Sequence, residues 1–151
     1  MSMSTIPNAT PAWHHLPENR FNPHAWFIGE PIIGNHCWVG AFTVIDGSGG
    51  LVIGDHCDIS AGAQIYSHST VRRALFGPDR PIDRRPTTIG NHVHVGANAT
   101  VLMGCTIGDH VVIGAGAVVL EGTVIPDYSL VVGVPAVVRP LTLADQSNGD
   151  C

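Results

Sequence analysis

From Ile33 onward a β-branched residue stands at every sixth position: Ile33, Val39 and Ile45, then Ile53, Ile59, Ile65 and Val71, then an unbroken series from Ile89 through Val95, Val101, Ile107, Ile113, Val119, Ile125 and Val131 to Val137. The register slips once, by two residues, inside "DGSGGLV" at 46–52, and the pattern lapses across 72–88. Four places after most lead residues comes a small side chain, as at Cys37, Thr43, Cys57, Ala63, Ser69, Ala99, Cys105, Ala117, Thr123 and Ser129. An α-helix repeats every ~3.6 residues and a plain strand every ~2, so neither carries such a period over so long a stretch. The pattern predicts short strands and tight turns wound round a narrow prism, with one large and one small residue of each six pointing inward.

Composition changes this picture little. A chain of 151 residues is one domain by length. A formal charge of −5 and the absence of any basic tail argue against nucleic acid as a partner. Cys37, Cys57 and Cys105 occupy small inward places and are read as buried packing residues, while Cys151 falls at the terminus. No CxxC pair is present, which argues against a zinc knuckle. The N-terminus lacks a basic start followed by an apolar run, and "VVIGAGAVVL" at 111–120 is too short to span a bilayer. The expected location is therefore the cytoplasm, with no membrane span.

All seven basic residues are arginines, and Arg72, Arg73, Arg80, Arg84 and Arg85 crowd into the segment where the repeat lapses. The histidines fall into two kinds. His36, His56, His92 and His110 each close the phrase "IGNH" or "IGDH", whereas His68 follows Tyr66-Ser67 in "IYSHST". His68 lies between the two interruptions of the repeat, the glycine-rich "DGSGG" before it and "RRALFGPDRPIDRRPT" after it. A regular prism is smooth, so a histidine between a bulge and a long loop is where a pocket can form.

The repeated "[IV]-G-x-x-[small]-x" phrase resembles the hexapeptide-repeat acyltransferases, and "IDGSGG…IGDHCDISAGAQIYSHSTVRRAL" resembles their sugar O-acetyltransferase branch, the polysaccharide and colanic-acid type related to galactoside and maltose acetyltransferases. The resemblance implies an all-β fold, a left-handed parallel β-helix with three hexads per coil. It covers about 33–138, and reaches back to 21 if Phe21 and Phe27 lead two degenerate hexads. The expected organisation is an N-terminal extension at 1–20, a β-helix domain at 21–138 with an excursion loop at about 71–88, and a tail at 139–151.

With three hexads per coil, Ile33, Ile53, Ile89 and Ile107 share a face, and their four histidines stack in a column at the strand spacing of ~4.8 Å. The turn after Gly-Asn/Asp calls for a residue that tolerates positive φ, as histidine does. Capture of a metal by a neighbouring pair such as His92 and His110 is the alternative reading.

The same resemblance implies an acetyl-CoA-dependent acetyltransferase acting on a hydroxyl or amine of a sugar or nucleotide-sugar. It matches His68 to the general base and the backbone N–H of Ala97 to the oxyanion donor. Acceptor binding falls to Asp46 and Tyr66, with His94 standing where related enzymes carry tryptophan. Coenzyme A is expected along Gly96, Gly114, Ala115 and Arg139. Glu121 and Val137 occupy places that are often basic in relatives, so the phosphate contacts fall to Arg139 or to the loop arginines. No metal is expected. The family's usual assembly is a homotrimer with active sites between subunits, so that His68 of one chain faces the Ala97 corner of another.

Two other functions share parts of this pattern. "MGCTIGD" at 103–109 is similar to a phrase of the γ-carbonic anhydrases, but Met103 replaces a metal-binding histidine and no two histidines stand five apart. A non-catalytic hexapeptide scaffold would need neither coenzyme A nor His68.

Overall fold

The computed structural model describes residues 19–142. The N-terminal extension to residue 18 and Cys151 lie outside the described residues. Most strands are only two residues long, because a six-residue repeat leaves room for one inward pair and a corner. They stack as three parallel sheets, the faces of a prism. The first face aligns Phe27, Ile45, Ile65, Val101 and Val119. The second aligns Ile33, Ile53, Ile89, Ile107 and Ile125. The third aligns Val39, Ile59, Val95, Ile113 and Val131. The face predicted from Ile33, Ile53, Ile89 and Ile107 is thus observed and gains Ile125.

Lead residues from Val39 to Val131 and small residues such as Cys57, Ala63, Ala99, Cys105 and Ala117 form one core running the length of the prism. Each fully buried isoleucine contributes about 1.5–3 kcal/mol relative to exposure. Phe27 does lead a hexad, in register with Ile45, and Phe21 stacks on it at 5.7 Å. The cysteines donate to backbone carbonyls, Cys57 Sγ to Gly90 O at 3.2 Å and Cys105 Sγ to Leu120 O at 3.1 Å. Burial pushes the Cys57 thiol up to about 11 and raises that of Cys105, so neither is a nucleophile.

The corner between the second and third faces explains the "IG[ND]H" phrase position by position. Its glycine leaves room for the next coil: a Cβ on Gly90 would lie 2.3 Å from Asp109 Oδ1. The following Asn or Asp accepts from the coil before it, as Asp55 N donates to Asn91 Oδ1 at 2.9 Å and Asn91 N to Asp109 Oδ1 at 2.7 Å. The histidine takes positive φ, between 54° and 57° at His36, His56, His92 and His110. The four rings stack at 4.8–4.9 Å, and Tyr128, at φ 55°, extends the column by a fifth ring 4.7 Å from His110. Parallel rings direct their nitrogen lone pairs in separate planes, a poor arrangement for joint capture of one ion.

Two lead positions depart from the repeat. Val71 is 58% exposed and opens a short helix, Val71–Phe76, none of whose residues is buried. Val137 is 54% exposed because the chain turns back there, and Val137–Pro140 pairs antiparallel with Ser129–Val132. The excursion also differs in extent from a loop at 71–88. It leaves the prism after Ile65 and returns by the strand Thr87–Ile89, which is already part of the second face. Its neck is an antiparallel ribbon in which His68 faces Arg84 and Ser69 faces Asp83. Arg85 N→Ser67 O at 3.0 Å and Thr87 Oγ1→Tyr66 O at 2.7 Å close the neck. Among the described residues no helix is long and apolar enough to cross a membrane.

Candidate active site

Both interruptions of the repeat fall at one corner, between the first and second faces, on consecutive coils. The bulge after Asp46 turns through Gly50 N→Gly47 O at 3.0 Å. Gly49 has to be glycine, since a Cβ there would stand 2.0 Å from the Ser67 carbonyl oxygen on the next coil. Ser67, fully buried, joins the two coils: its Oγ donates to Asp46 O at 2.7 Å and accepts from Gly49 N at 2.8 Å.

Asp46 is fully buried and each of its carboxylate oxygens is engaged. Oδ1 accepts from Ser48 N at 2.9 Å, and Oδ2 accepts from Ser67 N at 2.9 Å and from His68 Nδ1 at 2.5 Å. Burial by itself raises its pKa, but the bonds from Ser48, Ser67 and His68 outweigh that and hold the carboxyl at about 2. Asp46 is therefore a carboxylate, which makes Nδ1 of His68 the donor and leaves Nε2 as the basic nitrogen. The His68 side chain keeps 27% of its surface exposed. Asp46 was expected to meet an acceptor hydroxyl; as placed, it faces His68 and not solvent.

Tyr66 sits edge-on to the His68 ring, with centroids 6.1 Å apart. Burial, aided by the charge of Asp46, raises its pKa, so the phenol stays protonated and donates to Gln64 Oε1 at 2.6 Å. Tyr66 thus walls the His68 ring, its hydroxyl already bonded. Sequence reasoning missed Ser48 and Ser67, whose signal was their adjacency to the bulge and to His68.

The other predicted residues gather elsewhere. Gly96, Ala97, Gly114 and Ala115 line the corner between the third and first faces, on consecutive coils joined by Gly96 N→Ile113 O and Gly116 N→Ala97 O. Among the described residues the N–H groups of Ala97 and Ala115 find no acceptor, as is true of Ala41 and Ala61 on earlier coils. His94 is exposed on the third face, between Asp58 and Val112. Arg139, also exposed, pairs with Leu130 at that face's last edge. Within one chain, then, His68 and Ala97 stand at opposite edges of the first face.

Of the loop arginines, Arg85 bonds Glu121 at 2.7 Å, Arg72 lies 3.6 Å from Asp83, and Arg80 stacks on Phe76 at 6.0 Å. No cluster of three or more potential metal ligands occurs among the described residues.

The family model for the bacterial transferase hexapeptide (six repeats) matches residues 86–121, and that for the hexapeptide repeat of succinyl-transferase matches 32–67. Both matches are to hexapeptide-repeat models, and they fall on stretches of the prism that carry the period of six. No curated protein matches its sequence significantly. Among solved structures, the chain is similar to a galactoside acetyltransferase in complex with coenzyme A, at 28% identity and a TM-score of 0.70, covering 83% of this chain and 63% of that one. A maltose O-acetyltransferase from Clostridium difficile is 26% identical with a TM-score of 0.56, over 76% of this chain and 69% of that one. AntD, an N-acyltransferase from Bacillus cereus seen with dTDP-4-amino-4,6-dideoxyglucose and coenzyme A, has a TM-score of 0.69 at 23% identity, over 85% and 74%. That last likeness shows the fold alone.

Proposed function

We propose that this protein is an acyltransferase that moves an acetyl group from acetyl-CoA directly to a hydroxyl or amine of a sugar or nucleotide-sugar, with His68 as general base. One observation carries the reading: a partly exposed imidazole whose Nδ1 is held by a buried carboxylate, beside the only two interruptions of the repeat among the described residues. The acetyltransferases of similar fold support the donor and the acceptor class.

A thioester is already activated, so the protein has to deprotonate the acceptor and hold the oxyanion. In the proposed step, Nε2 of His68 takes the proton as the acceptor oxygen or nitrogen attacks the thioester carbonyl. Asp46 steadies the imidazolium that forms. The tetrahedral oxyanion accepts from a backbone N–H at the Ala97 corner, and its collapse expels the coenzyme thiolate, which regains the proton from His68. The unpaired N–H of Ala115, at the corner shared with Gly96 and Gly114, suits an amide carbonyl of a pantetheine arm, and Arg139 a phosphate.

His68 and Ala97 occupy opposite edges of one face, so this chemistry requires that the Ala97 corner come from a second copy. A closed cyclic assembly, a homotrimer, supplies it at every site. The test is release of free thiol from acetyl-CoA in the presence of sugars and aminosugar nucleotides. His68→Ala is expected to lower turnover by ~10²–10⁴-fold; near-normal turnover overturns the assignment.

A further inference from the structure

The ribbon at the neck of the excursion places Arg84 directly across from His68. Residues paired across an antiparallel ribbon put their side chains on the same side, with Cβ atoms about 4.5–5.5 Å apart. That side faces the bulge, because the Arg84 Cβ lies only 3.1 Å from where a Cβ on Gly49 would stand. Arg84 and His68 therefore look out together over the bulge between Asp46 and Gly50.

Charge sets Arg84 apart from its neighbours. Arg85 is taken by Glu121 and Arg72 faces Asp83, whereas Arg84, like Arg73 and Arg80, makes no ion pair among the described residues, and of these three only Arg84 is paired with His68 across the ribbon. The nearest buried acid, Asp46, already accepts bonds from Ser48, Ser67 and His68. Arg84 also borders a cleft of about 330 Å³ that runs from the ribbon to Met103 and Glu121; His68 does not line it, so it has room only for a part of an acceptor that extends away from the imidazole. An uncommitted guanidinium presents a planar fork of donors that matches a carboxylate or phosphate.

We infer that the acceptor carries an acidic group, a carboxylate or a phosphate, and that Arg84 holds that group while the hydroxyl or amine to be acylated lies at His68. This rests on the acetyltransferase reading above. Arg84 is thus a specificity-determining residue of the same site, and the acceptor class narrows to acidic sugars.

The experiment measures thiol release from acetyl-CoA with matched sets of hexoses, hexuronates and hexose 1-phosphates, for the full chain and for Arg84→Gln and Arg84→Lys. The full chain is expected to favour an acidic acceptor over its neutral counterpart by at least ~10-fold in kcat/KM. In Arg84→Gln that ratio falls toward one, and Arg84→Lys, which keeps the charge without the fork, retains part of it. A preference confined to hexuronates identifies a carboxylate; one confined to 1-phosphates identifies a phosphate. Equal rates for neutral and acidic acceptors in the full chain overturn the inference and leave the acetyltransferase standing. So does a ratio that survives Arg84→Gln, or a variant whose only change is a raised KM for acetyl-CoA, which would assign Arg84 to the coenzyme. Absence of thiol release with every acceptor, together with no acetyl-CoA binding by calorimetry, overturns the parent reading as well.

Discussion

The carboxylate of Asp46 reaches across one coil boundary to hold Nδ1 of His68 at 2.5 Å, and it does so fully buried while the imidazole keeps an exposed edge. Asp46→Asn retains the size of the side chain but offers an amide in place of a carboxylate, so the ring loses both its fixed tautomer and the charge that stabilises its protonated form. The expected outcome is a fall in kcat of ~10²–10⁴-fold, with the KM for acetyl-CoA changing little. Steady-state kinetics on the folded variant check it; a kcat within a factor of about two of the parent removes Asp46 from the mechanism.

The same carboxyl sets an acid limit on stability. Its pKa is lowered from 3.8 to about 2 in the folded chain, so the contribution is present above pH ~4 and is lost as the pH falls through about 2. At 1.36 kcal/mol per unit, that contribution is about 2 kcal/mol. Urea titrations between pH 5 and 2 are expected to show this loss in the parent, and Asp46→Asn is expected to flatten that limb of the curve.

The fold was legible because a period of six belongs to no other regular structure, and because Ile33 to Val131 hold it with one slip and one lapse. Where the chain leaves the prism, the pattern misleads. Val71 and Val137 continue the arithmetic of the repeat, yet each is exposed, since a helix begins at one and the chain reverses at the other. The site was only half legible. His68 stood out by its position between the interruptions, and Asp46 by its place at the start of the bulge. What Asp46 does depended on burial across a coil boundary, which no local spacing encodes. Ser67 was hidden for the same reason, as its partners are Asp46 and Gly49 on the neighbouring coil.

Glycines at the corners divide by cause, and substitution separates the causes. A Cβ on Gly90 would stand 2.3 Å from Asp109 Oδ1 and 2.7 Å from Gly108 O, so Gly90→Ala has to push two coils apart or break the Asn/Asp column. Gly116 meets nothing within 4 Å and suffers only its φ of +69°. Gly116→Ala is expected to cost roughly 1–2 kcal/mol, and Gly90→Ala more than this. Thermal unfolding of the two variants checks the order, and a Gly90→Ala protein as stable as Gly116→Ala contradicts the packing argument.

The ring column separates backbone conformation from ring chemistry. His92 sits at φ 54° between His56 and His110, its ring stacked on both at 4.9 and 4.8 Å. If conformation decides the residue, His92→Asn is nearly neutral, because asparagine tolerates the left-handed region about as well as any side chain. His92→Val keeps a compact side chain but places a β-branched residue where it is rarely found, at a cost of roughly 1–2 kcal/mol. The two variants lose the same stacked ring, so a shared loss of stability would trace to stacking, whereas a loss in valine alone traces to the turn. Chemical denaturation of both is expected to give the second result. His92 lies at the corner between the second and third faces, away from His68, so turnover in His92→Asn is expected to match the parent, and a fall in kcat there would place the column in the chemistry after all.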